Sequence, residues 1–100
     1  MAMLGRITDY RMCEQVAAVL KTLAHAQRLS ILCKLYRKEM TVGELEGGCG
    51  ISQPQVSQHL TRMRLEGIVE SKRDGNYVYY SISDPQIRAL LESFEKVFKG

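Results

Sequence analysis

"ISQPQVSQHLTRMRLEG", residues 51–67, carries the signals of one complete helix with an unusual outer surface. Ser52 and Gln55 stand in the S-x-x-Q spacing of a capping box, and Gly67 is placed to end the helix. Val56, Leu60 and Met63 recur at i, i+4 and i+7, which makes one apolar stripe. Gln55, Gln58, Thr61 and Arg62 face away from it, with Ser57 and His59 on the flanks and Ser52 and Gln53 at the leading end. That face holds no carboxylate before Glu66. A helix that meets only water ordinarily mixes Glu with Lys, so this one is composed to touch something else.

The order of elements around it can be read outward in both directions. Upstream, Asp9 caps a first helix running to Ala24, with Met12, Val16, Val19, Leu20 and Leu23 on one face. "AHAQRLSILCKLYRKE" is a second helix that turns Leu29, Leu32, Leu35 and Tyr36 inward. Thr41 and Glu44 form a second capping box, opening a short helix "VGELEG" that Gly47, Gly48 and Gly50 close with a turn. Downstream, "IVESKR" and "YVYYSI" are rich in strand formers and flank Asp74-Gly75-Asn76, a hairpin signal. Asp84-Pro85 then starts a last helix, residues 85–98, with Ile87, Leu90, Leu91, Phe94, Val97 and Phe98 on one stripe.

A short helix, a glycine-containing turn, a polar-faced helix and a basic-tipped hairpin, in that order, predict a mainly α fold with a small β-hairpin: a winged helix-turn-helix. The amide and hydroxyl face suits the major groove of duplex DNA, where Gln pairs with adenine and Arg with guanine. Carboxylates there would repel phosphates, which accounts for their absence. Lys72 and Arg73 fall on the hairpin, placed to neutralise backbone phosphates without reading sequence. The assigned DNA-binding set is therefore Ser52, Gln53, Gln55, Ser57, Gln58, His59, Arg62, Lys72 and Arg73. Each element alone is also what a solvated helix beside an ordinary hairpin would look like; their order favours DNA.

Length and composition agree. One hundred residues, 45% of them hydrophobic, suffice for one small domain spanning residues 1–100 and its core. A net charge of +3 permits a polyanionic partner without demanding one. No apolar run approaches the roughly 18 residues of a membrane span, and "MAMLGRITDY" lacks the apolar centre of a secretory leader. Cys13, Cys33 and Cys49 are odd in number with no framework spacing, so the chain is expected in the cytoplasm with its thiols reduced. Catalysis would need a nucleophile beside a base, or convergent carboxylates, and neither occurs; no enzyme activity and no cofactor are expected. "GGCG" lacks the following lysine of a phosphate loop.

From Met12 to Phe98 the chain resembles the ArsR/SmtB family of transcriptional repressors. The resemblance is carried by "LKTLAHAQRLSIL", "TVGELEGGCGISQPQVSQHLTRMRLEGIV" and "YVYYSI", with Ala26 where members commonly carry proline. It implies a homodimer that represses a double-stranded operator until a chemical signal loosens it. The apolar stripes of the terminal helices (residues 9–24 and 85–98) agree with a shared interface, built from Val16, Val19, Leu20, Leu23, Leu90, Leu91, Phe94, Val97 and Phe98. Both stripes packing on the chain's own core is the alternative.

In metal-sensing relatives the ligands are cysteines at the start of the third helix, or Asp and His along the last. Here those places read "MTVGEL" and "DPQIRALLESFEKVF", which keeps Asp84 but has Gln86 and Val97 where imidazoles are expected. No metal is therefore assigned. "LKTLAHAQRLSILCKL" is similar instead to the stretch around the first thiol of the family's persulfide- and redox-responsive branch, the BigR, YgaV and HlyU-like regulators. That likeness implies a reactive-sulfur or oxidant inducer acting on Cys33. The branch's second cysteine corresponds to Lys99, so Cys13 is the remaining candidate partner. Beside Leu32, Cys33 is expected to be partly buried, with Arg28 and Arg37 as cations that would favour its thiolate. Burial as simple packing is the competing reading for both thiols, and the assigned one for Cys49. Two other functions stay open: a winged-helix interaction module without operator binding, and a metal-responsive repressor with non-standard ligands.

Overall fold

The computed structural model describes residues 9–99, apart from the side chains at 48 and 49. The segment "MAMLGRIT", within the stretch read for a leader, lies outside the described residues, as does the Cys49 side chain. Five helices and one hairpin follow in order: α1 (Tyr10–Leu23), α2 (Ala26–Arg37), α3 (Val42–Cys49), α4 (Gln53–Leu65), β1 (Val69–Asp74), β2 (Tyr77–Ile82) and α5 (Pro85–Phe98).

The expected caps are formed. Asp9 accepts from the Arg11 N–H at 3.0 Å and Asp84 from the Gln86 N–H at 2.8 Å. In the box that opens α3, Thr41 Oγ1 accepts from the Glu44 N–H and Glu44 Oε1 from the Thr41 N–H. At α4, Gln55 Oε1 accepts from both the backbone N–H and the hydroxyl of Ser52, each at 3.0 Å. The far end of α4 closes with the N–H of Ile68 on Met63 O and that of Gly67 on Arg64 O. Gly67 takes φ 78°, the left-handed conformation this double closure requires. One boundary departs from the sequence reading. Residues 47–49 continue α3, and the chain turns only at Gly50, φ 69°.

The core gathers Ile31, Leu32 and Leu35 of α2 with Leu45 of α3, Val56, Leu60 and Met63 of α4, Val69 and Ile82 of the hairpin, and Ile87 of α5. Full burial of such a side chain contributes about 1.5–3 kcal/mol. On α2 the expected inward set was incomplete: Ile31 is fully buried, while Leu29 and Tyr36 are only half-buried. The helix packs against α1, α3, α5 and β2, so its buried arc is wider than one stripe. Met40, in the α2–α3 connection, exchanges both backbone hydrogen bonds with Tyr80 of β2, tying the hairpin to the helices. No helix among the described residues is long and apolar enough to cross a membrane.

Candidate nucleic-acid interface

Helix α4 has 13 residues, hence a length of about 20 Å. Val56, Leu60 and Met63 are fully buried on one side, and Gln55, Gln58, Thr61 and Arg62 are exposed on the other. Ser52 and Gln53 are exposed at its leading end and Ser57 is half-buried on its flank. A shallow groove of about 480 Å³ on the outer face is lined by Ser57, Gln58, Thr61, Arg62 and Leu65. Leu65 was not singled out from the sequence, although its position seven residues after Gln58 was the available signal.

The start of α2 holds α4 in place. Arg28, whose side chain is only 11% exposed, pairs with Glu66 at 3.0 Å, so the first carboxylate after the polar face is neutralised. His59 Nε2–H donates to Gln27 Oε1 at 2.9 Å, and the His59 ring meets the His25 ring edge-on at 5.0 Å between centroids. His59 thus turns inward, to α2, and serves to position the helix rather than to present a free ring outward. Burial pushes its pKa below the ordinary imidazole value, and the neighbouring charges of His25, Arg28 and Arg62 push the same way.

The wing is a two-stranded antiparallel ribbon joined by Gly75 and Asn76, with φ 65° at Gly75 and a negative φ at Asn76. Lys72 lies opposite Tyr79 and Arg73 opposite Val78. Because successive side chains alternate, the two cations occupy opposite faces of the ribbon. Arg73 Nε donates to Gly75 O at 3.4 Å, which draws its guanidinium toward the tip. Tyr77 is 62% exposed beside them and sits 6.4 Å from the Tyr79 ring.

Between α1 and α5 runs an open apolar groove of about 570 Å³, walled by Met12, Val16, Val19, Leu20 and Leu90 among others. Val16 and Leu20 are exposed, as are Val97 and Phe98 at the end of α5, while Val19, Leu90 and Phe94 are half-buried. Leu23 and Leu91 differ from the rest of that assigned set. At 4% and 5% exposure they belong to the chain's own core, where both helices meet α2, and offer little to a partner.

Cys33 and Cys13 are both exposed, which overturns the expected partial burial of Cys33. Cys33 opens with Ser30, Lys34, Arg37 and Met40 on a hollow of about 290 Å³. Of the two arginines expected beside the thiol, Arg37 lines this hollow, whereas Arg28 is held by Glu66. Its own helix places Cys33 on the side away from Ile31, Leu32 and Leu35. Among the described residues no group of three or more His, Cys, Asp or Glu side chains is arranged to hold a metal ion.

Residues 25–71 match the model of a family described as bacterial regulatory protein, arsR family. Over 86 residues the chain is 42% identical to the HTH-type transcriptional regulator YgaV of Escherichia coli (strain K12), covering 85% of this chain and 87% of that protein. It is 33% identical over 84 residues to the transcriptional activator HlyU of Vibrio cholerae, covering 84% of this chain and 78% of that one. The crystal structure of the transcriptional repressor BigR from Xylella fastidiosa superposes with a TM-score of 0.83 at 36% identity, over 93% of this chain and 95% of the other.

Proposed function

The chain belongs to the bacterial ArsR family of DNA-binding transcriptional regulators, and on that footing we propose that it is a homodimeric, cytoplasmic repressor whose operator release is triggered at Cys33. The observation that carries the DNA reading is the outer face of α4: exposed amides, hydroxyls and a guanidinium, free of carboxylates, on a helix clamped to α2. Gln58 and Arg62 carry the amide and guanidinium groups that make bidentate contacts to base edges. Lys72 and Arg73 supply phosphate contacts that fix register without reading sequence. A pre-positioned helix loses little freedom on binding, so more of the contact energy appears as affinity.

Two copies sharing the α1–α5 groove would cover Val16, Val19, Leu20 and Leu90 of both and set two α4 helices about one two-fold axis. Such a dimer reads a pseudo-palindrome with half-sites about one helical turn apart, or a multiple of it. Repression is the sense suggested by BigR; HlyU carries the opposite description, so the sign is part of the proposal. For release, the Cys33 thiolate attacks a polysulfide, forms an S–S bond and expels the shortened polysulfide as leaving group. Exposure and the nearby Lys34 and Arg37 suit such an attack. The modified dimer lets go of DNA only if the operator-bound form tolerates the modification less well than the free one.

Fluorescence anisotropy with an operator selected from random duplexes tests the DNA reading and the Cys33 response together. Reduced protein is expected to bind with strong salt dependence and polysulfide-treated protein more weakly. Cys33→Ser should keep the reduced affinity and lose the response, and added zinc should leave binding unchanged. Absence of salt-dependent DNA affinity would mark an interaction module instead, and release by zinc a metal-responsive repressor.

A further inference from the structure

Leu65 does not fit the surface on which it stands. It closes α4 with 81% of its surface exposed, while Val56, Leu60 and Met63 fill the core from the opposite side of the same helix. Seven residues separate it from Gln58, and at 3.6 residues per turn the two side chains leave the axis within about 20° of each other. Both line the same groove, with Thr61 between them and Arg62 at the rim. Apart from Pro54 in the first turn, the other residues of this outer face, Gln55, Gln58, Thr61 and Arg62, all carry hydrogen-bonding groups. A single exposed leucine elsewhere would need no explanation. At the end of a polar face and in line with Gln58, one apolar group is accounted for by a ligand that presents one apolar group among polar edges.

The major groove of duplex DNA has that pattern, since thymine alone adds a C5 methyl to the donors and acceptors of the base edges. We infer that Leu65 is a specificity-determining residue that packs on the C5 methyl of a thymine in each half-site. The methyl of Thr61, one turn earlier on the groove wall, forms the other side of the contact. Seven residues along the helix axis are about 10.5 Å, far enough for Leu65 and Gln58 to meet different base pairs. The thymine is therefore a different base pair, in the same half-site, from the one that Gln58 reads. DNA is the occupant, rather than a protein, because the groove is continuous with the carboxylate-free face and with Arg62. The inference rests on the DNA-reading role proposed for α4.

The test uses the full-length chain and an operator selected from a random duplex pool. Each thymine is replaced singly by deoxyuridine, which removes only the C5 methyl, and Kd is measured for the unmutated chain, Leu65→Ala and Gln58→Ala. One thymine per half-site should lose about fourfold in affinity without its methyl, the equivalent of unburying one methyl-sized group. It should be a different position of the same half-site from the one where Gln58→Ala relaxes preference, because the two side chains are about 10.5 Å apart along the helix. Leu65→Ala should lose a similar factor on the thymine site and then be indifferent to the replacement. Equal methyl sensitivity in the unmutated chain and Leu65→Ala, or no sensitive thymine at all, would overturn the assignment while leaving α4 as the reader. A pool that yields no preferred sequence would overturn the DNA reading itself, and this inference with it.

Discussion

Replacing Leu20 is the sharpest way to ask what covers the α1–α5 groove. Leu20 keeps 45% of its surface exposed in the single chain, so nearly half of its burial is left for a partner. Full burial of leucine contributes about 1.5–3 kcal/mol, which makes the remaining share about 1 kcal/mol per copy. Two-fold symmetry counts every substitution twice. Leu20→Ala should therefore weaken the dimer by about 2 kcal/mol, a rise of about thirtyfold in its dissociation constant. Leu20→Glu adds the desolvation of a carboxylate on both sides, several kcal/mol per ion, and should leave monomers at micromolar concentration. Neither change touches the core, so urea unfolding of the isolated chain should be nearly unaltered. Leu91→Ala is the contrasting control: at 5% exposure it should cost about 2–5 kcal/mol of stability rather than split a folded dimer. Sedimentation equilibrium reads these outcomes directly. A Leu20→Glu protein that remains dimeric, or an unmutated protein that is monomeric at micromolar concentration, would refute the reasoning.

Burial of His59 near His25, Arg28 and Arg62 makes stability depend on pH: with its folded pKa below the ordinary value near 6.5, the neutral ring is the favoured native form. That contribution is present above the ordinary value and is lost as pH falls through the folded one. Urea midpoints should accordingly drop between pH 7 and pH 5 by less in His59→Gln than in the unmutated chain. Gly67→Ala forces an L side chain to φ 78°, and should lower stability by about 1–2 kcal/mol in the same assay. Lys72→Ala and Arg73→Ala should each weaken all DNA sequences alike and reduce the slope of log K against log salt by about 1, measured by anisotropy titration.

What could be read from the chain beforehand was whatever rests on near neighbours. Capping boxes at Thr41/Glu44 and Ser52/Gln55, the Asp84-Pro85 start and the hairpin at Asp74-Gly75-Asn76 are decided within four residues, and each forms, with Asp74 taken into β1 and only Gly75 and Asn76 left in the turn. The polar face of α4 was legible for the same reason, because helical spacing alone places Gln55, Gln58 and Arg62 together. What could not be read depends on residues far apart. Ile31 is buried because α2 is enclosed by elements from both ends of the chain, a fact no single-helix pattern holds. Leu23 and Leu91 sit on the same stripes as Leu20 and Leu90, yet the meeting of α1 and α5 with α2 divides each stripe into a core part and an open part. His59 was assigned to the DNA face because its partner, Gln27, lies 32 positions earlier. Glu66 ends the carboxylate-free run, and its partner Arg28 lies 38 positions away.

The central claim, that the outer face of α4 reads DNA, is tested most directly by titrating the selected operator and a scrambled duplex with the unmutated chain, Gln58→Ala, Arg62→Ala and the double variant. Both side chains are exposed, so all four proteins should fold alike. Each single change should cost about 1–3 kcal/mol on the operator, or about 5- to 150-fold in Kd, with a much smaller effect on the scrambled duplex. The double variant should bind the two duplexes almost equally. Operator affinity unchanged in the double variant would contradict the account.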